Sequence, residues 1–157
     1  SKPQRDVYNI VLAAQKASID ASQIGTPYDK IHQASVEVLT EGLLSLGLLK
    51  GTLKNAIETG AYKKFYMHKT GHWIGLDVHD VGEYKLGGVS RQLEAGMLFT
   101  IEPGLYIPPG TSGVPEKYQG IGIRIEDDIL MTAKGAEVLT DGVPSSIDAI
   151  EALMEVD

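Results

Sequence analysis

The sequence predicts an α+β fold, a helix pair followed by an antiparallel-rich sheet, and three observations predict it. Apolar residues recur at helical spacing through the first part of the chain. From Phe65 onward the pattern turns strand-like, and most of the 18 glycines fall after Gly60. Two of the later apolar runs carry acids, Glu102 and Glu126, where a strand facing a core would carry none. Residues 1–157 read as a single domain, with no internal repeat and no linker.

Each element has a local reason. Val7, Ile10, Val11, Ala14, Ala17 and Ala21 predict a helix from Arg5 to about Ile24, ended by Gly25. Thr26 then reads as an N-cap, with Pro27 at the first helical position and Asp29 in the first turn. Ile31, Ala34, Val38, Leu39, Gly42, Leu43 and Leu46 give the second helix its apolar face, closed near Gly47. A short helix is expected around Leu53 to Glu58. Leu98, Phe99 and Ile101 mark a buried strand that Glu102 interrupts just before Pro103-Gly104. Residues 120–130 read as one strand. There Ile121, Ile123 and Ile125 line one face, and Gly122, Arg124, Glu126 and Asp128 line the other. The loop from Pro108 to Pro115 is short of apolar anchors and is expected to move or to rim a site. The chain closes with a strand near Glu137 to Thr140 and a helix capped by Ser145 or Ser146.

The chemistry concentrates on these strands. An inward carboxylate is costly unless something positive meets it, and one imidazole with two carboxylates converges most economically on metal ions. His72, Glu102 and Glu126 supply that set. An exposed sheet face with an Arg–Glu pair is the bland alternative for Arg124 and Glu126. Three of the four histidines, His68, His72 and His79, share one window. The spacing of His68 and His72 matches two histidines on one helix face, but no glutamate follows the first, and Gly71 and Gly75 argue against a helix. They read as residues of a loop or irregular strand. His32 lies in a helical pattern away from this window and reads as a surface or helix-packing residue. Trp73 reads as substrate-facing or as core.

The segments Gly71–Asp80, Leu93–Ile107 and Gly120–Asp128 resemble the Xaa-Pro aminopeptidase (aminopeptidase P) family, within the M24 metallopeptidases that also include methionine aminopeptidase, prolidase and creatinase. The likeness runs over nearly the whole chain. It implies a pita-bread fold, two related halves around a dinuclear metal centre, of which this chain resembles the C-terminal half. It implies two Mn²⁺ ions, with Co²⁺ or Zn²⁺ as other possible occupants. The histidine ligand carries over onto His72 and the two glutamates onto Glu102 and Glu126. The family's two aspartate ligands have no counterpart here, since Asp6, Asp20 and Asp29 all fall in helical patterns. The chain is therefore expected to be a fragment, inactive alone. The resemblance further implies Glu126 as the bridging carboxylate and Glu102 as the proton acceptor beside the attacking water. It makes His79 the residue that steadies the intermediate or shuttles protons. His68, Tyr106 and Arg124, with Arg91 at the rim, would shape the pocket for proline, and His68 would share in the catalytic work.

The function this implies is removal of an N-terminal residue that precedes proline, from a peptide substrate, by a homo-oligomer. A prolidase acting on Xaa-Pro dipeptides and a non-catalytic peptide-binding module on the same fold are the alternatives. Composition narrows the field. A net charge of -7 disfavours nucleic acid and anionic membranes as partners. With 0 cysteines there are no disulfides and no thiolate metal sites, and the expected location is cytoplasmic. No apolar run approaches the ~20 residues needed to span a bilayer.

Overall fold

Helix α1 covers Lys2–Asp20, with a proline in its first turn, where the missing N–H costs nothing. This computed structural model describes residues 1–155. The helix ends before Ile24 because the chain finds other partners. The Ser22 hydroxyl donates back to the Ser18 carbonyl, and the Gly25 N–H donates to the Leu93 carbonyl. Helix α2 covers Asp29–Ser45 and does not begin at Thr26. Thr26 accepts a hydrogen bond from the Leu93 N–H, and Pro27 forms a bridge with Gln92, so this stretch serves as a sheet partner. The helix N-terminus is instead met from outside, where the Asp29 N–H donates to the Ser90 hydroxyl. Helix α3 covers Leu53–Glu58, capped by the Thr52 side chain on the Asn55 N–H.

Two short hairpins follow. Strands β1 (Ile74–Gly75) and β2 (Val78–His79) form the first, and β3 (Lys85–Leu86) and β4 (Val89–Ser90) the second. The main ladders come next: β5 (Leu98–Ile101), β6 (Gly104–Ile107), β7 (Ile121–Arg124), β8 (Asp127–Thr132) and β9 (Gly135–Val138). Residues 120–130 thus split into two strands. β8 lies between β5 and β9, while β7 pairs with β6. One antiparallel register runs through the break, since Ile101 faces Asp127 and Gly104 faces Arg124. The interruption falls at Glu102-Pro103 opposite Ile125-Glu126. Proline has no N–H to donate, so the ladder cannot continue there. The Ile125 N–H closes the gap on the Pro103 carbonyl.

The core forms in two parts. Val7, Val11, Leu39 and Leu43 from the helices meet Phe65, Leu105, Ile107, Ile121 and Ile125. Ile31, Trp73, Leu93, Phe99, Ile101, Ile129 and Met131 form the second cluster. Trp73 therefore packs in the core, stacked on Tyr84 with ring centroids 5.2 Å apart. The 108–119 loop is better anchored than its sequence predicts. Val114 and Tyr118 are buried in the first cluster, and the Gln119 side chain bonds both the Gly110 N–H and the Val114 carbonyl. The last strand begins and ends earlier than Glu137 to Thr140, because the Thr140 hydroxyl turns toward Asp127 and accepts from the Asp128 N–H. Helix α4 covers Ile147–Met154 with Ser146 as its cap. Among the described residues no helix is long and apolar enough to cross a membrane.

Candidate functional site

Residues Thr70 to Trp73 dock as an irregular strand along β5. The Thr100 N–H donates to the His72 carbonyl at 2.9 Å and the Glu102 N–H to the Thr70 carbonyl at 2.6 Å. Gly71 makes this approach possible, because a Cβ there would lie 1.8 Å from the Thr100 carbonyl oxygen. The docking brings the His72 imidazole to Glu102, with Nε2 3.5 Å from Oε1. The single register across the ladder break puts Glu126 opposite Glu102. His72, Glu102 and Glu126 each offer one donor atom, all within 4.8 Å of one another.

The hydrogen bonds around this trio define its chemistry. Nδ1 of His72 lies 2.9 Å from the Trp73 carbonyl oxygen. A carbonyl only accepts, so Nδ1 carries the proton in the neutral ring, and the Nε2 lone pair faces the carboxylates. A lone pair and two acids converge here, with His72 and Glu102 half-buried and Glu126 exposed, an arrangement that suits a cation. Burial, and then the negative charge of Glu102, push the Glu126 carboxyl above its ordinary value. The donor set is imidazole and carboxylate, which suits a divalent ion, and the backbone bond to Nδ1 is the orienting contact such ligands commonly have.

A second cluster flanks the first. The Arg124 Nε–H donates to the Tyr106 hydroxyl at 2.8 Å, and that hydroxyl lies 2.8 Å from His68 Nε2. His68 Nδ1 is 2.7 Å from the Lys69 carbonyl, so Nδ1 holds the ring proton and Nε2 accepts from Tyr106. The polarity thus runs one way, from guanidinium through phenol to imidazole. Arg124 Nε also lies 3.7 Å from Glu102 Oε2, which joins the two clusters. Gly104 lets Tyr106 fold across the strand, since a Cβ there would sit 2.6 Å from the phenol oxygen.

The other candidates fall into place around these two groups. His79 is exposed on β2, its ring centroid 4.2 Å from that of His72. The preceding Val78 has φ 73°, a conformation that β-branched residues rarely adopt, at the turn that delivers His79. Arg91 is not brought to the cluster. It lines a separate cavity with Trp73, Asp80 and Met97, and its backbone bonds Tyr84 and Tyr28. His32 is not remote from the histidine window. Its Nδ1 is 2.9 Å from the Thr70 hydroxyl, and it shares a cavity of about 410 Å³ with His72, Gly71, Tyr28 and Tyr84. Burial, then the nearby charge of Lys69, lower its pKa to about 4, so the ring is neutral.

Sequence reasoning missed the polar residues beneath the site. Thr70 and Thr100 are buried. The Thr70 hydroxyl lies 2.6 Å from the Tyr66 hydroxyl, whose pKa burial pushes up to about 12. The Thr100 hydroxyl accepts from the His72 N–H at 3.1 Å and donates to Glu102 Oε1 at 3.2 Å. Gln15, buried on α1, donates to Asp127. Only Thr100 left a signal, its position two residues before Glu102 on the same strand face.

The fold and the three converging donors, His72, Glu102 and Glu126, suit a member of a metallopeptidase family. The chain belongs to metallopeptidase family M24, whose family model matches residues 1–133. Its relatives include the Xaa-Pro aminopeptidases of Haemophilus influenzae and Escherichia coli, 49% and 47% identical, each over 98% of this chain. Those matches cover 35% and 34% of the relatives, so the chain spans about a third of their length. Its structure is similar to that of the Pseudomonas aeruginosa aminopeptidase PepP, with TM-score 0.96 and 51% identity over 98% of this chain and 35% of that one. It also matches zinc-substituted E. coli aminopeptidase P in complex with product, with TM-score 0.92 and 47% identity over 98% and 34% of the two chains. The chain matches a part of the α+β pita-bread fold of these aminopeptidase P structures, as the likeness to its C-terminal half implied.

Proposed function

We propose that the full-length polypeptide carrying this chain is a Mn²⁺-dependent Xaa-Pro aminopeptidase, which hydrolyses the bond between an N-terminal residue and a following proline. The observation that carries this reading is the convergence of His72, Glu102 and Glu126 within 4.8 Å, from three separate segments of the chain. Relatives bearing the name Xaa-Pro aminopeptidase support it, as does a structure of E. coli aminopeptidase P with the inhibitor Pro-Leu, 47% identical to this chain. The presence of all three donors favours an enzyme over a non-catalytic peptide-binding module on the same fold.

A divalent ion held by these residues would supply Lewis acidity at the scissile carbonyl and lower the pKa of water. The protein groups do the rest. His72, its ring fixed by the Trp73 carbonyl, presents Nε2 as a neutral ligand. Glu102 keeps one oxygen toward His72 and the other toward Arg124, so it is placed to take a proton from an attacking water. Glu126 is exposed, yet desolvation and the neighbouring Glu102 charge disfavour its ionised form, so a cation there would stabilise it. His79 lies beside the trio and is free to donate to an oxyanion. His68, Tyr106 and Arg124 form a rigid polar wall that suits the proline side of the peptide.

The test is turnover of an Xaa-Pro peptide by the full-length protein, with an Xaa-Ala peptide and an Xaa-Pro dipeptide alongside. Selective cleavage of the longer proline peptide that is lost on chelation and restored by Mn²⁺ is the expected result. Cleavage of the dipeptide alone makes the protein a prolidase, and no cleavage at any metal loading overturns the reading.

A further inference from the structure

We infer that Thr100 is a positioning residue for the metal centre, and that its hydroxyl, rather than its bulk, holds His72 and Glu102 in ligating geometry. The inference rests on the metal-site reading above and deepens it. Thr100 is 3% exposed on β5, a strand whose other central residues, Phe99 and Ile101, are fully buried and apolar. A hydroxyl in that setting needs partners, and Thr100 has two that matter. It accepts from the His72 N–H at 3.1 Å and donates to Glu102 Oε1 at 3.2 Å. One atom therefore ties the backbone of the imidazole ligand to the side chain of the carboxylate ligand.

The consequences follow from the geometry. Glu102 hangs at the end of its strand, beyond the last paired residue, where its carboxylate would otherwise be free to rotate. Thr100 engages Oε1, the same oxygen that lies 3.5 Å from His72 Nε2, and so turns Oε2 toward Arg124. The two oxygens are thereby distinguished before any ligand arrives. The His72 N–H finds its acceptor in the same hydroxyl, while the His72 carbonyl accepts from the Thr100 N–H. The pair of contacts fixes both the height and the tilt of the docked segment. Contacts of this kind behind a metal ligand commonly sustain about 10–100-fold in metal affinity.

The test uses the full-length protein with Thr100→Val, which keeps the shape and removes the hydroxyl, and Thr100→Ser, which keeps the hydroxyl and removes a methyl. Thr100→Ala gives a hydroxyl-free variant with no added bulk, should valine not be accommodated. Mn²⁺ affinity is measured by competition with a chromophoric chelator, and the metal-free proteins are compared by thermal unfolding. The expected result is a 10–100-fold weaker affinity for the valine and alanine variants and an affinity within about threefold of the parent for the serine variant. Parent-like affinity in the valine and alanine variants overturns the inference. So does a serine variant as weak as the alanine one, which would assign the effect to the lost methyl. His72→Ala separates the two levels: if it binds Mn²⁺ as the parent does, the metal site itself is misplaced and both readings fall.

Discussion

Gly71→Ala tests how the site is assembled. A Cβ at position 71 would lie 1.8 Å from the Thr100 carbonyl oxygen and 2.9 Å from its carbon. The obstacle is backbone in a buried strand, so no flexible side chain can yield. Moving that contact from 1.8 Å to the 3.0 Å that real Cβ atoms respect requires at least 1.2 Å of retreat by the Thr70–Trp73 segment. Two hydrogen bonds flank the contact, Thr100 N–H to His72 at 2.9 Å and Glu102 N–H to Thr70 at 2.6 Å, and that retreat ends both. Each bond is worth about 1 kcal/mol net, and each buried group left unpaired costs about 1–3 kcal/mol. With one group left unpaired per bond, the summed loss is about 4–8 kcal/mol, a large share of the ~5–15 kcal/mol typical of a domain. His72 moves with the segment, and a ~1 Å misplacement of a catalytic constellation costs on the order of 10²-fold in rate. The assay is urea unfolding of the full-length protein with metal binding on the same samples. Gly122→Ala is the control, since a Cβ there would meet nothing closer than 3.6 Å. If Gly71→Ala unfolds within ~0.5 kcal/mol of the control and keeps its metal, the close docking of the His72 segment is wrong.

Glu126→Gln should strip metal and turnover together, because it removes a negative charge from the trio. His79→Ala should keep metal near normal and lower turnover by on the order of 10²–10³; metal loss in His79→Ala would reverse the assignment of the two histidines. His32 is neutral in the fold with a pKa of about 4, below its ordinary 6.5, so its contribution to stability is complete above pH 6.5 and is lost as pH falls toward 4. Parent and His32→Leu should therefore diverge in their pH dependence over that window by on the order of 1–2 kcal/mol, after allowance for partial exposure. Parallel curves from pH 7 to 4 would show that the ring is not held neutral. The isolated 157-residue chain should self-associate, because Leu76, Val78, Val81, Leu86 and Val89 are all exposed along one stretch. Sedimentation as a monomer at high micromolar concentration would refute that.

The sequence by itself determined the class of fold and the kinds of residue at the site. Helical spacing located the two long helices, because one-sided burial leaves a periodic trace in a single segment. Alternation on residues 120–130 put Arg124, Glu126 and Asp128 on one face, because a strand's side chains must alternate. The motifs around His72, Glu102 and Glu126 were legible because acids that interrupt apolar runs are conspicuous in a sequence. Tertiary structure decided what those residues do to one another. It broke the expected strand at Glu126, because a proline in the partner strand cannot donate to the ladder. It recruited Thr26 and Pro27 into pairing with residues 92 and 93, at the expense of the helix start they resemble. It brought His32 from a helix to Thr70 and left Arg91 in another cavity. It also set Thr100 beneath both His72 and Glu102, a contact spanning residues far apart in the chain. Periodicity within one segment reports which face is buried. It carries no information on which distant segment covers that face, and in this protein the distances among His72, Glu102 and Glu126 are set there.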